Sequence, residues 1–268
     1  LQGINGSSAT HYQGSGYFNF FCAYFGYYYF LVVLDRCLVH IAFKDVSING
    51  LLDNFQIEFF TDGCTVLYDP CEKFSSTILT ALMGLHNLDG GTILLDGIPW
   101  EEYCKQNSLI STFSLVFDEG IMLSNLSLCE NLLLPWNKRF ATEDYSIFEQ
   151  ELQHLLEELN LDVGWELRPA YLSPAQRKFI CFIRSLLLKP KIMLIDDPYY
   201  LLNKEERRLL LGFLQKHCKK CAGIASSGYT ENRNREGFYL QEMLIGTSDE
   251  DITSEIATQV IDLSQICY

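Results

Sequence analysis

The sequence is short of cations. Twenty Lys and Arg stand against 34 Asp and Glu, a formal net charge of −14 over 268 residues. Binding to nucleic acid or to anionic lipid draws on clustered positive charge, so both partner classes are disfavoured, while docking on a basic protein surface is not. A membrane span or leader of ordinary form is also missing. Tyr17 to Leu34 carries no charge and approaches the length of a spanning helix, but it is crowded with Tyr and Phe and has no basic flank. It reads either as an arm touching a membrane or partner, or as sequence outside the folded domain, and the second reading is favoured. Leu1 to Gly16 reads as disordered. Ten cysteines are present, but the Cys218–Cys221 pair has no second pair at metal spacing and no strand placed before it in a thioredoxin-like way. Cys22, Cys37, Cys64 and Cys181 lie in apolar segments and read as free thiols of a reducing compartment. After residue 37 there is no internal repeat and no low-complexity tract.

From about Cys37 onward, strands and helices alternate. Val39–Phe43 and Phe55–Phe60 read as short strands, and Thr65-Val66-Leu67-Tyr68 as a buried one. Beyond Asp69 to Thr77, the residues Ile78, Leu79, Leu82 and Met83 keep helical spacing, which Gly84 ends. Thr92–Leu95 and Leu115–Phe117 are further strands. Asn125 to Leu161 is mostly helical, with Leu152, Leu155, Leu156 and Leu159 on one face. A helix from about Ala175 to Leu188 is closed by Pro190. Ile192–Ile195 is a buried strand ending in two aspartates, Lys204–Lys216 is helical, and Gly223–Ser226 is expected to be the last central strand. Such alternation predicts an α/β fold with a mainly parallel sheet covered by helices, and ligands bind such sheets at the carboxyl ends of the strands.

Several segments, in order, resemble the ATP-binding subunit of ABC transporters. Ala81 to Leu85 followed by Asp89 to Gly97 is similar to the stretch behind that family's phosphate loop. Val116-Phe117-Asp118 with Glu130-Asn131-Leu132 resembles the Q-loop region. Tyr171 to Arg177 with Arg184-Ser185-Leu186 resembles the signature motif and its helix, and Ile192 to Pro198 resembles Walker B. The resemblance runs from about Val39 to Ile245. It implies a P-loop NTPase-like core over 37–268, with a small antiparallel β subdomain and a helical subdomain at about 119–190, and residues 1–36 as an extension.

The departures fall at chemical positions. A working phosphate loop reads G-x-x-x-x-G-K-[ST], because glycine lets backbone N–H groups curl round phosphate and the lysine neutralises it. Here the first Gly is Asp69. The second is Phe74, at a place where positive φ is expected to be needed. The Lys position is Ser75, and Lys73 lies two residues early. Ser76 remains, followed by Thr77. Asp118 replaces the Q-loop Gln, and Pro174 and Ala175 replace the signature glycines beside Ser173 and Gln176. Asp196 keeps the Walker B place, Asp197 replaces the catalytic Glu, and Ser227 is expected at the switch His. The resemblance implies nucleotide contacts from Lys73, Ser75, Ser76, Thr77, Asp118, Ser173 and Gln176. It assigns Mg²⁺ to Ser76 and Asp196, and residual catalytic positions to Asp197 and Ser227.

The expectation is therefore a subunit with lost or impaired ATP hydrolysis, the non-catalytic half of an ATPase pair. It would be paired as a homo- or heterodimer and held to a membrane permease at the cytoplasmic face, with no nucleic-acid partner. ATP and Mg²⁺ are the cofactors if binding is retained. Two alternatives stand beside it: a slow but genuine Mg·ATP-dependent ATPase, and an interaction protein that reuses the fold. Permease contact is expected within Asn125–Ala170. There Leu132, Leu133 and Leu134 read as core and Trp136 as the candidate contact.

Overall fold

The computed structural model describes residues 39–218 and 242–264. The expectations for residues 1–36, for a strand at Gly223–Ser226 and for Ser227 lie outside the described residues, as does Cys221.

Two sheets carry the architecture. The first is antiparallel, in the order β2-β1-β4-β5, with β1 at His40–Ile48, β2 at Leu52–Phe60, β4 at Gly90–Leu95 and β5 at Ile98–Pro99. β1 and β2 are longer than the short apolar runs predicted. A register shift between Phe43 and Val46 breaks the in-out alternation that marks a strand in sequence, and Asp45 there has φ +52°. The second sheet is parallel, in the order β6-β7-β8-β3-β9: β3 Cys64–Tyr68, β6 Phe113–Val116, β7 Ile192–Asp196, β8 Glu242–Thr247 and β9 Gln259–Asp262. The central place, between β7 and β3, thus belongs to Glu242–Thr247.

The inner strands of the parallel sheet, β3, β7 and β8, are buried on both faces, and their period of two divides the core. Leu67, Ile192, Leu194 and Leu244 face a cluster that takes in β1, β2 and helix α1 (Ser75–Leu82). Val66, Met193, Ile195, Met243 and Ile245 face the other way, into a cluster with four long helices. These are α4 (Leu128–Arg139), α5 (Tyr145–Glu158), α6 (Pro174–Leu187) and α7 (Lys204–His217). Two short helices, α2 (Trp100–Gln106) and α3 (Leu109–Thr112), precede β6, and α8 (Glu250–Glu255) follows β8.

Helix boundaries follow capping chemistry. Ser127 with Glu130, Ser173 with Gln176 and Asn203 with Glu206 form reciprocal capping boxes at α4, α6 and α7. Pro174 occupies the first helical position of α6, where its missing N–H costs nothing.

The helical packing reverses one expectation. Trp136 is 2% exposed and packs against Phe140 and Phe148 at ring-centroid distances of 4.4 and 5.3 Å, so it is core. Leu134 is 57% exposed. An α-helix turns 100° per residue, so a run of three leucines cannot all face one side. Cys64, Cys181 and Cys218 are buried, and Cys71 is exposed.

Candidate functional site

The carboxyl ends of β3, β6, β7 and β8 gather most of the residues singled out in the sequence. Asp69 follows β3 directly and is fully buried. Its backbone N–H donates to Thr247 O at 2.9 Å, which fixes the residue against the end of β8. Its side chain turns back onto the start of α1. Asp69 Oδ2 accepts hydrogen bonds from the backbone N–H of Phe74 at 2.6 Å and of Ser75 at 2.9 Å. Helix N-termini present unsatisfied N–H groups with partial positive charge, and these attract anions. Here the chain's own carboxylate takes two of them. Asp69 Oδ1 is buried without a hydrogen-bond partner.

The rest of the loop follows from this closure. Phe74 has φ −115° rather than the positive value expected for a glycine place. Its ring stacks on Phe55 at 5.7 Å, extending the core. Ser75 is buried against Gly246, where an added Cβ would stand 2.9 Å from Ser75 Cβ, so the absent side chain of Gly246 is what lets α1 settle on β8. Thr77 is also buried. Neither Ser75 nor Thr77 is placed as an open loop donor. Lys73 is exposed at the crest of the loop. Glu72, beside it at φ +53°, accepts from the hydroxyl of Ser248 at 2.9 Å.

Ser76 and Asp196 are brought together. Ser76 Oγ donates to Asp196 Oδ1 at 2.7 Å. Burial pushes Asp196 up to about 6, and the carboxyls of Asp118 and Asp197 add to this, against the pull of the Ser76 hydroxyl and of Lys178. Asp197, at φ +32°, is also raised by burial, with Lys178 opposing. Asp118 accepts the N–H of Glu119 in its own loop at 2.8 Å. Ser173 and Gln176 are spent on each other: Ser173 Oγ accepts from Gln176 N–H at 3.1 Å, and Gln176 Oε1 accepts from Ser173 N–H at 2.9 Å.

Two residues escaped the sequence reading. Ser248 directly follows the central strand β8 at the carboxyl edge of the sheet and was not singled out. The signal was present: Met243-Leu244-Ile245 followed by polar residues repeats the form of β7 with its aspartates. Lys178 is the other. A lysine between Ala175, Phe179 and Phe182 breaks an apolar stripe, which marks it as paired.

Comparison with known proteins agrees with this arrangement. The ABC transporter family model matches residues 75–200. The chain is 27% identical over 174 residues to a ribose import ATP-binding protein of Rubrobacter xylanophilus, which covers 65% of this chain and 35% of that protein. It is 30% identical over 155 residues to a molybdenum import ATP-binding protein of Rhodopseudomonas palustris, covering 58% of this chain and 40% of that one. The match thus spans well under half the length of these relatives. Among solved structures, a dimeric ATP-binding cassette bound to ADP and phosphate superposes with a TM-score of 0.63 at 16% identity, covering 83% of this chain and 93% of that one, a likeness of fold. The chain thus has the fold of an ATP-binding cassette, and over residues 75–200 it resembles the ABC transporter family and its ATP-binding proteins.

Proposed function

We propose that this chain is a non-catalytic nucleotide-binding-domain homologue, one half of an ABC transporter's ATPase pair, held to a permease at the cytoplasmic face of the membrane. The observation that carries the reading is the carboxylate of Asp69 on the N–H groups of Phe74 and Ser75. A phosphate would have to displace that group and then meet its charge at close range. Mg·nucleotide does not fit the loop as it stands: the anion's place is taken, Ser75 replaces the neutralising lysine, and Lys73 is turned to solvent. For the metal, Ser76 and Asp196 are two oxygen donors already bonded to each other. Phosphoryl transfer depends on positioning and charge stabilisation, and the residues that would supply both are replaced together.

The opposite arm of the site fits the same reading. Ser173 and Gln176 cap their own helix, and Pro174 offers no N–H to a partner's phosphate. The switch place is assigned to Ser248, which binds Glu72. Permease contact is assigned to the exposed side of 125–170, where Leu134 stands unburied. Among the described residues no helix is long and apolar enough to cross a membrane. The relatives are import proteins by name; import is the direction proposed here too.

Titration calorimetry with Mg·ATP tests the reading. The parent chain is expected to show no binding up to millimolar nucleotide, and an Asp69→Gly, Phe74→Gly, Ser75→Lys variant is expected to gain it. Micromolar binding by the parent would replace this reading with the slow ATPase, with Ser76 and Asp196 holding Mg²⁺. In the assembled transporter, Asp197→Asn in this chain is expected to leave ATP turnover within about twofold, under 0.5 kcal/mol of barrier. Loss of turnover would make this chain catalytic. Failure to associate with any permease or cassette would leave the interaction-protein reading.

A further inference from the structure

One face of α5 lines a groove of about 690 Å³, bounded also by the start of α4 and by a strap at residues 164–167. Its shape follows from helical spacing. Tyr145, Glu149, Gln153 and Glu157 recur every four residues and so form one stripe along the helix. At 1.5 Å per residue the stripe runs about 18 Å. Phe148 and Leu152, both buried, line the groove with Cys129. The Tyr145 ring continues this apolar surface outward: it is 46% exposed, and its centroid lies 5.6 Å from that of Phe148. Trp165 and Glu166 come from the strap. The strap is pinned to the start of α4, where the N–H of Leu128 donates to Leu167 O at 2.9 Å and that of Cys129 to Trp165 O at 3.2 Å.

The charge of the groove is of one sign. Glu149, Glu157 and Glu166 line it, and no Lys or Arg does. None of the three is in an ion pair among the described residues. Gln153 Nε2 braces Glu157, donating to it at 2.8 Å. His154, the one lining residue able to carry positive charge, is turned to Glu158 at 3.1 Å. Aromatic rings beside unpaired carboxylates are complementary to a guanidinium, which stacks on a ring by its face and donates to carboxylates by its edge. A stripe about three turns long outreaches one arginine side chain and suits a stretch of chain. We propose that this groove docks an arginine-bearing segment of a partner protein, its guanidinium groups seated against Tyr145 and Trp165 and paired with Glu149, Glu157 and Glu166. The proposal does not rest on the reading of the nucleotide site, since it uses none of that site's residues.

A fluorescein-labelled hexa-arginine peptide is the probe, since extended it spans about 20 Å. Its binding to the full chain is read by fluorescence anisotropy at about 0.15 M salt, where attraction to the acidic chain at large is screened. Hexalysine is expected to bind at least about fivefold more weakly, and free arginine more weakly still. Glu149→Gln with Glu157→Gln is expected to weaken hexa-arginine binding at least about tenfold, and Tyr145→Leu at least about threefold. Asp53→Asn with Glu101→Gln removes the same charge from β2 and α2, and is expected to change binding by less than about twofold. The three tryptophans give a readout that needs no variant. On peptide addition the indole N–H resonance of Trp165 is expected to move. Those of Trp136, in the core, and of Trp100, whose indole donates to Leu82 O at 3.0 Å, are expected to stay. A parent that does not bind hexa-arginine overturns the proposal, and so does a Trp165 resonance that stays still at saturation. Equal weakening by the two pairs of substitutions would reduce the binding to net charge and overturn it as well. Hexalysine or free arginine binding as tightly as hexa-arginine would overturn the arginine segment as occupant. Should the groove variants not fold, the indole resonances of the parent decide.

Discussion

An aspartate buried behind a strand of the central sheet is costly when its charge meets only apolar neighbours. At Asp69 two N–H groups at the start of α1 carry that cost, and Phe74, which begins the helix, has no side-chain cap of its own. Asp69 therefore serves as a cap reached from five residues upstream. Asp69→Ala is expected to leave both donors unsatisfied and to lower stability by about 1–3 kcal/mol, measured by urea unfolding. Asp69→Asn keeps an acceptor but loses the charge, and is expected to cost less than Ala. A gain in stability for Asp69→Ala would show that the buried charge is net unfavourable and that the closed loop is held by Phe74 packing instead.

Helix ends and strand cores were the legible part of the sequence, because each carries its chemistry locally. Ser173-x-x-Gln176 and Asn203-x-x-Glu206 mark helix starts, and Ile192 to Ile195 is apolar throughout because both faces of the sheet are covered. What stayed hidden depends on distant partners. Whether Trp136 or Leu134 faces the core is decided by α5, through Phe148. That β8, not an earlier segment, lies between β3 and β7 is decided by pairing across more than 40 residues. Asp69 was legible as an obstacle to phosphate, but its hydrogen bonds were not, since they need the turn geometry of Glu72. Trp136→Ala is expected to cost roughly 3–5 kcal/mol in chemical denaturation, and Leu134→Ala to stay within about 0.5 kcal/mol. Equal effects would place both side chains in one environment and undo the helix orientation described.

Across the whole molecule, excess acid makes pairing of each carboxylate matter to pH stability. Glu158, at the end of α5, is where two helices are tied by charge. Lys216 and His217 of α7 both donate to it, His217 Nε2 at 2.8 Å, and His154 Nδ1 of its own helix stands at 3.1 Å. Burial alone would raise its pKa, but the hydrogen bonds from His217 and Lys216 outweigh that and hold it below 4.5. A carboxyl with a folded pKa below its unfolded one binds fewer protons in the native state. Its stabilisation is therefore complete above about 4.5 and is lost as pH falls through the folded value. Glu158→Gln removes this dependence. The melting-temperature gap between parent and Glu158→Gln is expected to shrink as pH falls below about 4.5. A gap that persists unchanged to pH 3 would mean that Glu158 packs rather than pairs.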